Sequence, residues 1–397
     1  MLFVRRTVWL MTLALIVGIA AEVMARVDDA VRSGVPILAS PSYTDLTIQD
    51  SLGTRGRPFA RFEKWKLNGA GFRSQEVSLA SPGKCTRVAV MGASETFGYA
   101  ESPGKEYPAQ LADSLNRIGC YEVLNTAVTG LPTTGQIQLW ENWVSRFEPN
   151  VVVIYASPAF YLSNDAPEFS KLKPRGPAPI SNPFELRLMG RLKDRIDYPD
   201  FLQRRRVMKR IAHETAGKPD NWLFRTVPDD RLRLFQAHLD SLVESIRARG
   251  AVPVLVTHAM RFGDSLNEQD HDLLRSWRQF SPRATEDVLI GFEREAAATV
   301  REVARRQNVP LVDVASAMTG HRQWFADFAH FTDDGAGIIA GQIARVVEQI
   351  RAPSAGAVVS TRKPAEKPVL VQPAVRRKPA AIPQPAEVTV SNRSDGR

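Results

Sequence analysis

Two short stretches of this 397-residue chain hold residue types that could break an ester bond. The first, Gly92-Ala93-Ser94-Glu95-Thr96-Phe97-Gly98, follows the apolar run Arg87-Val88-Ala89-Val90-Met91. The second, Asp327-Phe328-Ala329-His330, lies just ahead of an amphipathic stretch near residues 334–350. A serine becomes a nucleophile only with a base to take its proton, a group that orients the base, and donors for the oxyanion. An aspartate three residues before a histidine can curl back so that its carboxylate accepts one ring N–H, leaving the other ring nitrogen to face Ser94. Alone, Ser94 reads as a helix cap, since a hydroxyl between a strand and a helix accepts from orphan N–H groups. Paired with Asp327 and His330, it reads as a nucleophile.

Such residues need a frame to bring them together. From Cys85 onward, β-branched runs alternate with amphipathic stretches. Strands are predicted at Arg87–Met91, Glu122–Asn125, Val151–Tyr155, Val252–Thr257 and Val309–Asp313, and helices near 105–118, 135–147, 229–249, 284–307 and 334–350. This βα rhythm calls for an α/β domain, a parallel sheet covered by helices on both faces. In such sheets chemistry gathers at the carboxyl ends of the strands, where Ser94 would stand. An interruption at about 166–228 is Pro-rich and then basic (Arg204, Arg205, Arg206, Lys209, Arg210). It reads as a partly helical insertion beside the active edge, its basic run a solvated helix face or, in the sharper reading, a lid or a contact for an acidic polymer or membrane surface.

The two cysteines, Cys85 and Cys120, each precede a predicted strand. If those strands are parallel neighbours with level ends, the thiols meet, and an oxidising compartment would join them. By loop entropy that disulfide would stabilise by ~3–4 kcal/mol. In a reducing compartment the same pair reads as two small buried hydrophobes.

Four stretches resemble the SGNH (GDSL-like) hydrolases, over about residues 68 to 350. Asn68 to Arg73 is similar to the N-x-x-G-F-R element that precedes the domain in many exported members. Gly92 to Gly98 resembles the first block, with the nucleophile at Ser94 and Ala93 where an aspartate is usual. Leu124-Asn125-Thr126-Ala127-Val128-Thr129-Gly130 is similar to the second block, and the resemblance implies that the N–H groups of Ser94 and Gly130 form the oxyanion hole. Asp327 to His330 matches the last block, with His330 as base and Asp327 as its partner. The resemblance also implies a three-layer doubly wound sheet of order 2-1-3-4-5. The third block departs from the pattern. Ala156-Ser157-Pro158-Ala159 stands where the family has Gly-x-Asn-Asp, so Pro158 replaces the third oxyanion donor. Losing one such donor costs ~3–4 kcal/mol in barrier height. Ser157, Tyr161, Asn164 and His258 are the candidates to replace it or to touch substrate.

The ends of the chain bear on its address. Arg5 and Arg6 precede an uncharged run from Thr7 to Ala21, followed by Val23-Met24-Ala25. The pattern fits both a cleaved signal and an uncleaved anchor, and either places the chain beyond about residue 26 across the inner membrane. Residues 352–397 hold eight Lys and Arg against three Asp and Glu, so +5 of the +9 net charge sits in a Pro/Ala/Lys-rich tail. That tail is expected to be disordered and to contact anionic envelope polymers. The expected order is thus an export segment (1–26), a lead-in (27–80), the hydrolase-like domain (81–351) and the tail. The remaining charge is nearly balanced, which argues against nucleic acid. Nucleotide-binding glycine loops, the G-x-S-x-G elbow and metal spacings of His and Cys are missing, so no cofactor or metal is expected.

The expected function is therefore an exported serine esterase acting on O-acyl groups of an envelope or extracellular polysaccharide. Two alternatives stand beside it: an impaired domain that binds or assembles polysaccharide, and an O-acetyltransferase.

Overall fold

A computed structural model of the chain describes residues 2–80, 83–163, 186–194 and 200–350. The tail, Asn164 and the Pro-rich start of the insertion lie outside the described residues.

The domain is built on five strands: β5 (Thr86–Gly92), β6 (Tyr121–Asn125), β7 (Val151–Tyr155), β8 (Val252–Val256) and β9 (Leu311–Val312). They are parallel and run in the order β6-β5-β7-β8-β9, which is the 2-1-3-4-5 order of a doubly wound sheet. Pro253 is tolerated inside β8 because its missing N–H faces the side where β9 has not yet begun. Val252 donates toward β7, at Asn150 O (2.8 Å), and Leu255 toward β9, at Pro310 O (2.9 Å). The same edge explains why β9 is shorter than its apolar run, since pairing starts only at Leu255 with Leu311. A short helix, α10 (Val314–Met318), follows β9 at once.

Alternation along the strands feeds two cores. Val88, Val90, Val153, Tyr155 and Val254 meet α3 (Tyr107–Leu115) and α11 (Asp333–Gln349) through Leu111, Ile339 and Ile343. Ala89, Met91, Val152, Ile154 and Leu255 face α4 (Thr133–Asn142), α7 (Asp229–Ala248) and α9 (Glu286–Gln307), through Trp140, Leu239 and Phe292. Each such aliphatic or aromatic burial contributes roughly 1.5–3 kcal/mol, which is what secures the sheet between its two helical layers. Thr86 pairs with Tyr121, so the strand starts are level, and Cys85 and Cys120 form a disulfide with Cα atoms 4.6 Å apart.

Three additions surround this frame. Helix α1 (Leu2–Ser33) is long and apolar enough to cross a membrane, and it runs unbroken past the boundary expected after residue 26. The lead-in forms two hairpins, β1 (Thr47–Asp50) with β2 (Gly53–Gly56) and β3 (Arg61–Phe62) with β4 (Trp65–Lys66). Their Trp65 and Leu67 pack on Phe97 beside Ser94. The insertion contains α5 (Arg187–Asp194) and α6 (Asp200–Thr215). Arg187 and Arg191 of α5 pair with Asp28 and Asp29 of α1 at 2.6–2.7 Å. The basic run is partly committed, because Arg204 of α6 meets Glu268 (2.9 Å) and Asp272 (2.6 Å) on α8 (Glu268–Arg278).

Candidate active site

Ser94 opens a one-turn helix, α2 (Ser94–Phe97), at the carboxyl end of β5. Its hydroxyl caps nothing, since Ala93 holds the N-cap position without a side-chain bond. The turn is tight. A Cβ on Gly92 would lie 2.0 Å from Thr96 Oγ1 and 2.9 Å from Tyr155 O, so only glycine lets the helix start this close to the sheet. The far end of α2 is held by Arg73 of the Asn68–Arg73 element, which donates through Nη1 to Phe97 O (2.7 Å) and Gly98 O (2.6 Å) and through Nη2 to Glu106 (3.0 Å). Asn68 shapes that element by accepting from Ala70 N (3.0 Å) and Phe72 N (2.8 Å).

Asp327 and His330 share the loop that leads into α11. The loop is closed by Ala326 N donating to His330 O (2.8 Å) and by a bridge between Phe325 and Phe331, after which Thr332 caps α11. Asp327 accepts from the backbone of Ala329 (2.9 Å) and His330 (2.8 Å), and its Oδ2 lies 2.7 Å from His330 Nδ1. Burial works against the imidazolium of His330, but the Asp327 bond and charge, with Glu95 and Glu101 adding, raise its pKa above the ordinary value. Its ring lies between Tyr99 (4.9 Å) and Phe328 (6.2 Å), and its buried Nε2 has no hydrogen-bond partner among the described residues. Ser94 and His330 line one cavity of about 610 Å³, together with Gly130, which sits at φ +71°. No hydrogen bond joins them among the described residues; Ser94 Oγ donates instead to Glu95 Oε2 (3.3 Å).

Glu95 is the centre of a second polar cluster. Its carboxylate accepts from Ser157 Oγ (3.0 and 3.1 Å) and stands 3.2 Å from His258 Nε2. On its other side His258 Nδ1 is 2.6 Å from Glu293 Oε2 of α9. All four residues are buried. Burial alone would lift the Glu95 carboxyl, but the hydrogen bond and charge of His258, helped by His330, hold it well below the usual range. Burial alone would lower His258, but Glu293 and Glu95 on its two sides hold it well above, as an imidazolium.

The expected site residues thus separate into groups. Ser94, Gly130, Asp327, His330, Ser157 and His258 all line the cavity. Ser157 and His258 are engaged with Glu95. Tyr161 is not in the lining; it is buried with its hydroxyl 2.6 Å from His238 Nδ1, because the short helix Pro158–Leu162 turns it into the layer against Phe235. Asn164 lies outside the described residues. Around Pro158 the cavity wall is Ala159 and Phe160, which present no side-chain donor, flanked by Ser157 and Ser163, whose hydroxyls donate to Glu95 and to Phe160 O (2.9 Å). Sequence reasoning missed Glu95, Glu293 and the aromatic wall of Tyr43, Tyr99 and Trp277. Glu293 had a signal: it sits in the apolar stripe Leu289, Phe292, Ala296, Ala297 and Val300, where an unpaired acid is out of place. The start of α8 had one too, since Asn267 and Asp270 form a reciprocal capping box (2.8 and 3.0 Å), though nothing in the sequence placed its Trp277 on the cavity wall.

No family model matches the chain, and no curated protein matches it in sequence. Among solved structures it is similar to a lipase/acylhydrolase from Enterococcus faecalis, with 16% identity over 66% of this chain and 96% of that one and a TM-score of 0.40. A catalytic mutant of an acetylxylan esterase from Geobacillus stearothermophilus aligns with 16% identity over 68% and 96%, at 0.38. A GDSL-like lipase from Bacteroides thetaiotaomicron aligns with 13% identity over 69% and 90%, at 0.35. The fold itself is assigned on this chain's own strand order.

Proposed function

We propose that the chain is a serine ester hydrolase of the SGNH kind, held at or exported across a membrane by its N-terminal segment, acting on O-acyl groups of an envelope or extracellular polysaccharide. The observation that carries this reading is the unpartnered Nε2 of His330, in the same cavity as Ser94, with Nδ1 fixed by Asp327. Rotation of the Ser94 hydroxyl from Glu95 to His330 starts the reaction. His330 Nε2 takes the Ser94 proton as Oγ attacks the ester carbonyl, and the N–H groups of Ser94 and Gly130 receive the oxyanion. Collapse expels the sugar oxygen, which takes the proton back from His330. Water then attacks the acyl-enzyme with His330 again as base, releasing the acid and free Ser94.

A second reading, a glycan-binding domain without turnover, draws on Pro158 and on the hydroxyl of Ser94 resting on Glu95. Release of p-nitrophenol from its acetate by the full chain, with Ser94→Ala and His330→Ala alongside, separates the two. Turnover that both folded variants lose supports the hydrolase. No turnover, with Ser94 also inert to a fluorophosphonate, favours binding.

A further inference from the structure

The charged side chains that line the cavity are mostly acidic. Among the described residues no lysine or arginine lines the cavity, whereas Glu95, Glu293 and Asp327 do. One imidazolium, His258, is shared between Glu95 and Glu293. With His330 neutral, as a base must be, three carboxylates and one imidazolium leave a net charge of −2 (−3 + 1) around Ser94. The cluster is not fully occupied by its own members. Glu293 is only 2% exposed; its Oε2 faces His258 Nδ1 at 2.6 Å, and its Oε1 has no hydrogen-bond partner among the described residues. Much of the remaining wall is aromatic. Trp277 and Phe328 stack at 5.4 Å and 8°, and Phe280 stands 68% exposed. Ring faces carry the negative end of an aromatic quadrupole, so they attract cations and C–H groups and do not favour anions.

Resting on the esterase reading, we propose that this cavity selects acyl esters on neutral or amine-bearing sugars and rejects esters on sugars that carry a carboxylate. Glu95 and Glu293 are the specificity-determining residues. Glu293 Oε1 accepts from a hydroxyl or ammonium group beside the ester, and the charge of both carboxylates repels an anion that would be drawn out of water next to them.

The test compares one acetyl ester, at O4, on methyl glucoside, on its 2-amino analogue and on methyl glucuronide, with the full chain at neutral pH. The expected order of kcat/KM is amino sugar at or above glucoside, and glucuronide at least tenfold below. Glu293→Gln and Glu95→Gln, checked for folding, are expected to narrow the glucoside–glucuronide gap. A measurement that needs no variant is competitive inhibition by the three unesterified sugars, in the same expected order. Equal or better handling of the glucuronide, while p-nitrophenyl acetate is cleaved through Ser94, overturns this inference and leaves the esterase reading standing. Turnover of no ester, with Ser94 unlabelled by a fluorophosphonate, overturns the esterase reading and this inference with it.

Discussion

His330 is raised above its ordinary value mainly because Asp327 accepts from it, and this fixes the direction of a kinetic pH dependence. A base must be unprotonated, so activity should fall as pH drops through a value above 6.5, the ordinary one for histidine. Asp327→Asn is expected to move that limb to lower pH and to cut kcat by about 10³–10⁴, since an amide no longer selects the tautomer with Nε2 free. A pH–rate profile of the two proteins reads both effects. Pro158 makes the opposite kind of prediction. It sits at the first position of a short 3-10 helix, where its own N–H is not needed, so Asn fits the backbone. If the wall there lacks an oxyanion donor, Pro158→Asn should raise kcat at least about tenfold, part of the 10²–10³ that such a donor contributes. A kcat that stays flat would mean that another group already fills the role.

At the scale of elements, the position of Ser94 depends on both ends of α2. Gly92 permits the close start, and Arg73 ties off the last carbonyls while neutralising Glu106. Arg73 and Glu106 are both buried, so Arg73→Met leaves an uncompensated carboxylate and takes the guanidinium donor away from Phe97 O and Gly98 O. Removing one partner of a buried pair costs roughly 3–5 kcal/mol. Urea denaturation should show a loss of that size, and Arg73→Lys should restore only part of it, because an ammonium cannot reproduce the guanidinium's fork of contacts to Phe97, Gly98 and Glu106. The Asn68–Arg73 element thus braces the helix that carries the serine.

For the whole molecule, the Cys85–Cys120 bond closes a loop with a sequence separation of 35 at the end of the sheet away from Ser94. Reduction should therefore lower stability by about 4 kcal/mol through chain entropy and leave the cavity's chemistry intact. Thermal unfolding with and without dithiothreitol, next to ester turnover at low temperature, measures each part. A large loss of turnover with the fold intact would show that β5 and β6 transmit strain to Ser94. The N-terminal helix is compatible with membrane anchoring, and its ion pairs with α5 join the insertion to it.

Much of this was written locally in the chain. Short β-branched runs and helical apolar patterns announced all five strands and five of the helices, because strands buried on both faces between helical layers are apolar throughout and leave a direct trace in residue order. The same is true of Ser94 with Asp327 and His330: they sit in loops at element ends, where few other roles compete for those residue types. Level cysteines ahead of two strands announced the disulfide. The cluster of Glu95, Ser157, His258 and Glu293 was not legible as a cluster, since its members come from four separate elements and meet only when the sheet and α9 pack. Tyr161 shows the reverse, a residue near the site in sequence that one helical turn directs into the core. Local pattern determined the elements and pointed to Ser94 and His330 as the proposed pair. Only packing decided which charges converge beside Ser94, because the electrostatics of a cavity depend on distances across the fold.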